Sequence, residues 1–221
     1  MAGPDRNVEN RAQSARRSTG QVRSLVQRQI RADFDATTIV VYQAYPPVVA
    51  DAALAAGRFV APFSFSRMTW IKPSFLWLMH RSNWASKAGQ ERVLAVRMTR
   101  SGWDQALSEA VLTAPEPAVH GRSGAWDEAF ARARVHVQWD PERSLRGAAL
   151  NHYSIQVGIG RALIHVFAEE WVVGLTDLTP AVRRIAGLAR SGQSGKAQRL
   201  LPAERPYPLE PAVARRLHAD A

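Results

Sequence analysis

The sequence contains no cysteine. Disulfide staples, thiolate nucleophiles and cysteine-ligated zinc are therefore excluded, and the composition fits a reducing, cytoplasmic setting. Apolar runs are short, and none approaches the roughly 18 residues that a membrane-crossing helix needs. Residues 1–27 are rich in Arg, Asn, Gln and Ser and lack the apolar stretch of a secretory leader, so none is expected. Signature motifs are missing as well. There is no G-x-x-x-x-G-K-[ST] loop, no H-E-x-x-H pair and no G-x-S-x-G elbow. Gly158-Ile159-Gly160 is too sparse for a dinucleotide fingerprint, and the segment Gly192–Lys196 lacks the spacing and the preceding strand of a phosphate loop. Among the six histidines no pair has a recognised acidic partner at metal-ligand spacing, so no metal is expected.

What remains is a basic chain of 221 residues, 46% hydrophobic, which is enough for one substantial core. The net charge of +10 is unevenly spread. Residues 28–100 carry ten basic and four acidic side chains, residues 101–180 six and ten, and residues 181–221 eight and three. Such asymmetry steers polyanions, so DNA, RNA or another phosphate-rich partner is a candidate and a membrane is not. Only three of the 29 basic residues are lysine, an arginine bias that also arises from high-GC bacterial coding.

The organising stretch runs from Arg58 to Trp84 and holds three of the seven tryptophans and four of the seven phenylalanines. Arg58, Arg67, Lys72 and Arg81 lie among these rings, and no acidic residue interrupts them. Rings bury apolar area while neighbouring cations face an anion or a planar group, a composition suited to a wall that turns into a pocket.

Residues 1–27 read as a flexible basic arm, 28–180 as a globular core and 181–221 as a basic helical extension, loose from Ser191 through the prolines at 202, 206, 208 and 211. Alternation and β-branched content predict strands at Thr38–Tyr45, Val93–Met98, Arg134–Trp139, Tyr153–Gly158 and Trp171–Thr176. Helical spacing predicts helices at Val48–Ala56 with Gly57 as C-cap, Ser74–His80, Gly102–Ala110, Trp126–Ala133 and Gly160–Ala168. Further short helices are expected at Val182–Ala189 and Pro211–His218. Thr179 reads as an N-cap before Pro180. Leu112–Gly124 reads as a loop, and Asp140-Pro141-Glu142-Arg143 as a turn that ends a strand. The pattern specifies an α+β domain with a mixed, largely antiparallel sheet and flanking helices.

Polar side chains at strand edges beside aromatics are the candidates for function. Arg28 and Arg31 precede the first long strand, and Tyr42 and Gln43 lie within it. Arg67, Lys72, Ser74 and Arg81 punctuate the aromatic stretch, and Arg143 follows the Asp140–Glu142 strand exit. Glu169-Glu170 stands before the last core strand, where a carboxylate stabilises an oxocarbenium-like centre or orients a ribose hydroxyl.

The blocks RQIRADFD (28–35), TIVVYQAY (38–45), the whole of 58–84, ERVLAVRMTR (91–100), VQWDPER (137–143), YSIQVG (153–158) and EWVVGLTDLT (170–179) resemble the bacterial and fungal family catalogued as domain of unknown function 4291. That family carries no settled activity across to this chain. The order of a basic residue and Tyr, then a Ser/aromatic block, then Glu before a late strand is similar to the layout of ADP-ribosyltransferase-like folds. The resemblance implies NAD as cofactor, with Glu170 and Tyr42 as catalytic groups and Arg31, Gln43, Ser64, Ser66 and Trp70 around the cofactor. Arg28, Arg67, Lys72, Ser74, Arg81 and Arg143 would then meet an anionic substrate. The sequence lacks the Ser-Thr-Ser and Glu-x-Glu elements of such enzymes. Two other readings stay open: a non-catalytic DNA- or RNA-binding domain with Trp70, Trp77 or Trp84 as stacking platforms, and a metal-independent nuclease or phosphoryl-processing enzyme.

Overall fold

A computed structural model describes residues 26–121 and 124–220. The basic arm expected over residues 1–27 therefore lies almost wholly outside the described residues.

The chain begins with a two-residue strand β1 (Arg31–Ala32), then β2 (Thr38–Tyr45), α1 (Pro47–Ala56), β3 (Thr69–Ile71) and α2 (Phe75–Ser82). It continues through β4 (Arg92–Thr99), α3 (Arg100–Ser108), β5 (Ala110–Leu112), α4 (Pro117–His120) and α5 (Ala125–Arg132). A long hairpin, β6 (Val135–Arg143) and β7 (Ala149–Ile159), precedes α6 (Ile164–Val166) and a π-helical turn, Phe167–Trp171. The last elements are β8 (Val172–Asp177), α7 (Thr179–Arg190), α8 (Ser194–Gln198), β9 (Arg205–Pro206) and α9 (Pro211–Leu217).

One sheet has the order β2-β4-β8 and is antiparallel throughout. A second has the order β3-β7-β6-β5, antiparallel except for the β5–β6 pair. The expected α+β architecture with a largely antiparallel sheet and flanking helices is what these elements form. β2 runs between two apolar layers. Ile39 and Val41 join the main core with Phe59, Trp103 and Phe167, while Val40 and Tyr42 meet Phe75, Leu78 and Val182 on the other face. Period-two alternation with apolar groups on both faces is what a strand needs when both sides are covered.

Local chemistry explains the element ends. Gly57 closes α1 in the left-handed region at φ 66, as expected of a C-cap glycine. α2 buries Phe75, Leu78, Met79 and Ser82, one stripe at helical spacing. Thr179 does not act as the N-cap of α7. Asp177 Oδ1 accepts the Thr179 N–H at 2.8 Å, and the Thr179 hydroxyl accepts the Val93 N–H at 3.0 Å, tying α7 to the start of β4.

Several expectations are corrected. Asp140-Pro141 does not end its strand, because both residues pair with β7 and β6 runs on to Arg143. Gly160–Ala168 is not one helix. A turn follows β7, and the π-helical turn buries Phe167, Ala168 and Trp171 together. The extension after residue 180 is helical as expected, but its part after Ser191 is packed and not loose. α7 places Val182, Ile185 and Ala186 in buried positions, and Tyr207 and Leu217 join the main core. Tyr207 N–H donates to the Ile30 carbonyl at 2.9 Å beside the β1–β9 pair.

Candidate functional site

The two sheets touch at a backbone rung. Tyr42 N–H donates to the Lys72 carbonyl at 2.7 Å, just beyond the end of β3. Towards Thr69 the strands part, and the Gln43 side chain fills the gap that a backbone ladder would otherwise occupy. Its Nε2 donates to Thr69 Oγ1 at 2.7 Å and to the Trp70 carbonyl at 3.1 Å. Gln43 is 3% exposed, and among the described residues its buried Oε1 has no hydrogen-bond partner. An unpaired buried carbonyl costs about 1–3 kcal/mol, and a donor on a bound molecule removes that cost.

A crevice of about 470 Å³ opens at this fork. Lys72 and Gln43 form its buried polar part, while Arg67 and Arg81 are exposed at the rim. Phe63 and Trp70 supply rings, and Ser64, Thr69 and Tyr45 supply hydroxyl-bearing wall. Among the described residues no acidic side chain lines it. The Tyr45 hydroxyl lies 3.3 Å from Thr69 Oγ1, and burial pushes the Tyr45 phenol above its ordinary range. Gly158 keeps Trp70 against the sheet: a Cβ there would meet Met68 Sδ at 2.7 Å and the Trp70 ring at 3.0 Å. Close packing, not nucleotide contact, explains this glycine.

Lys72 is 7% exposed. Its ammonium lies 5.0 Å from the centre of the Trp77 ring, a cation–π contact. Desolvation, reinforced by Arg81, lowers its pKa to about 8, against a smaller opposing pull from Asp140. Asp140 is occupied elsewhere: its two carboxylate oxygens accept Gln138 Nε2 at 2.8 Å and Gln156 Nε2 at 2.7 Å. The site is a cationic, ring-bearing crevice with a buried acceptor.

Six candidate residues from the sequence meet here: Gln43, Ser64, Arg67, Trp70, Lys72 and Arg81. Others lie apart. Ser66 is exposed and lies 3.2 Å, oxygen to oxygen, from Ser64. Ser74 caps α2, accepting the Trp77 N–H at 3.1 Å. Tyr42 is 1% exposed and packs edge-on against Phe75, and burial raises its phenol well above the ordinary value, so it stays neutral inside the core. Arg31 donates to the Glu204 carbonyl at 3.0 Å, and Arg28 pairs with Glu116 at 3.2 Å beside His218. Arg143 donates to the Gly147 carbonyl at 3.4 Å at the hairpin end. Glu170 is exposed on the π-helical turn and does not line the crevice.

Sequence reasoning missed Tyr45, Phe63 and Thr69, because nothing in their local pattern marks the place where two strands diverge. It also missed Glu204. This partly exposed carboxylate from the C-terminal segment accepts the Phe75 N–H at 2.7 Å, and burial, with Glu142 and Asp33 nearby, pushes its pKa up to about 8.

Among the described residues no helix is long and apolar enough to cross a membrane, and no group of three His, Asp or Glu side chains is placed to hold a metal ion. Neither a curated protein nor a solved structure matches the chain. A family model does, over residues 29–207, and the chain belongs to the family described as a domain of unknown function (DUF4291).

Proposed function

We propose that the crevice between β2 and β3 binds a phosphorylated nucleotide, with NAD as the first candidate. The observation that carries this reading is the meeting, in one crevice, of a buried lysine and a buried acceptor that has no partner among the described residues. Lys72 offers a cation, and Gln43 Oε1 offers an acceptor. A ligand that satisfies both carries an anion and an N–H or O–H donor, as a nucleotide with phosphates and an amide or amine does. Arg67 and Arg81 at the rim suit a second phosphate, and Trp70 and Phe63 suit a ring.

An ADP-ribosyltransferase-like reaction is the catalytic form of this proposal. Support for it comes from the binding groups alone, since Glu170 stands outside the crevice and the described lining holds no carboxylate. Binding of an extended DNA or RNA strand is favoured less. A strand needs a continuous track of rings and cations, whereas Trp70 lines the crevice, Trp77 sits beside Lys72 and Trp84 packs edge-on against Phe75.

Calorimetric titration of the full chain with NAD, ADP-ribose, ATP and inorganic phosphate tests the reading. Saturable binding of a nucleotide that Lys72→Met abolishes supports it. Absence of binding by all four ligands overturns it.

A further inference from the structure

We propose that Lys72 is a nucleophile that forms a Schiff base with the carbonyl carbon of a phosphorylated aldehyde or open-chain sugar phosphate held in the crevice. This rests on the reading of the crevice as a phosphate site and adds a covalent step to it.

The first support is isolation. Among the described residues no carboxylate lies within 4.0 Å of the Lys72 ammonium, and no hydrogen bond engages it. The acid whose field reaches it, Asp140 on β6, has both oxygens committed to Gln138 and Gln156. The charged neighbour on α2 is Arg81, a like charge. A desolvated ammonium facing a cation and no paired anion sheds its proton readily, leaving a lone pair in an apolar setting beside Trp77. The second support is placement. The same crevice presents Arg67 and Arg81 for a phosphate, so a ligand anchored there brings a second functional group to Lys72.

The step balances without a further reactant. The Lys72 nitrogen lone pair adds to the carbonyl carbon, the C=O π bond opens, and a proton passes from nitrogen to oxygen to give a carbinolamine. Loss of the hydroxyl as water, with the remaining nitrogen proton, forms the C=N bond. ADP-ribose, whose terminal ribose has a free anomeric carbon, belongs to the class of ligand that qualifies.

The chain offers its own controls, because Lys87 and Lys196 are the other two lysines and both are exposed. The full chain is incubated with pyridoxal 5′-phosphate, reduced with borohydride, digested and mapped by mass spectrometry. Labelling of Lys72 at least about tenfold faster than Lys87 and Lys196 is expected, since the neutral amine is far more abundant near pH 7.5 at a lowered pKa. Phosphate-free pyridoxal should lose this preference, and ADP-ribose should protect Lys72. An unlabelled Lys72, or labelling no faster than that of the exposed lysines, overturns the proposal. Nucleotide titration of the same preparation separates the two readings. Binding without labelling removes the nucleophile and leaves the phosphate site. Selective labelling that is indifferent to the phosphate, with no nucleotide binding, removes the phosphate site and with it the proposed ligand.

Discussion

Tyr42 and Lys72 share the backbone rung that joins the two sheets, with 2.7 Å between the Tyr42 nitrogen and the Lys72 carbonyl oxygen. A residue fixed at the root of a fork has its backbone satisfied while its side chain is left to whatever fills the gap. That is how a lysine comes to be 7% exposed with no acid paired to it among the described residues.

This burial makes stability depend on pH in a definite direction. The folded pKa of Lys72 is about 8, against an ordinary value of 10.5, so between these values the unfolded chain binds more protons and stability rises with pH. Below pH 8 the full cost is present. Lys72→Met should raise unfolding free energy at pH 7 on the order of 3 kcal/mol and flatten the rise between pH 8 and 10.5. Urea denaturation across that range checks it, and parallel curves for the two proteins would contradict the burial account.

The rim cations act through charge. Arg67→Ala and Arg81→Ala should each weaken ADP-ribose binding about tenfold at low salt, the scale of one charge-assisted hydrogen bond, and by less as salt rises. Glu170→Gln, on a surface outside the crevice, should leave that affinity unchanged. A salt-insensitive affinity would place the anion elsewhere.

Glu204 works with the opposite sign. Its folded pKa of about 8 lies above the ordinary 4.5, so the folded state binds more protons in between and stability falls as pH rises through that window. Glu204→Gln keeps an acceptor for the Phe75 N–H and removes the charge. Its melting temperature should exceed that of the parent at pH 8 and match it at pH 4.5, as read by scanning calorimetry at both values.

Two glycines separate packing from conformation. A Cβ on Gly160 would lie 2.6 Å from the Arg134 carbonyl oxygen, a backbone atom that yields only if the β6–β7 end shifts. Gly160→Ala should cost about 1–3 kcal/mol. Gly174→Ala in β8, where the nearest atom is Arg97 Cβ at 3.9 Å, should change stability by less than about 1 kcal/mol. Equal losses in chemical denaturation would deny the contact its role.

The sequence was most informative where structure is local. β2 follows from its β-branched and aromatic content and β4 from the segment Val93–Met98, and Gly57 follows from the left-handed end of α1. β3 is only three residues long, set in a stretch whose rings obscure any period, and β1 and β9 pair across more than 170 intervening residues. β5, Ala110–Leu112, straddles the end of the expected helix and the first residue of the expected loop, and three residues are too few to show a period of their own. The same division holds for the crevice. Arg67, Trp70, Lys72 and Arg81 converge because they belong to one stretch, and Gln43 reaches them from the strand beside it. Arg28, Arg31, Arg143 and Glu170 depend on which distant elements become neighbours, and nothing in their spacing encodes that. The acid at the start of α2 was invisible for that reason.

Tyr207 and Leu217 are translated after every strand of both sheets. Tyr207 covers Phe34 and Trp103 edge-on, and the Leu217 carbonyl accepts the Trp139 indole N–H at 2.9 Å. On the ribosome the nascent chain therefore presents those rings to water until residues 207–217 emerge. A chain stopped near residue 200 lacks both covers and leaves the apolar faces of Phe34, Trp103 and Trp139 open to water.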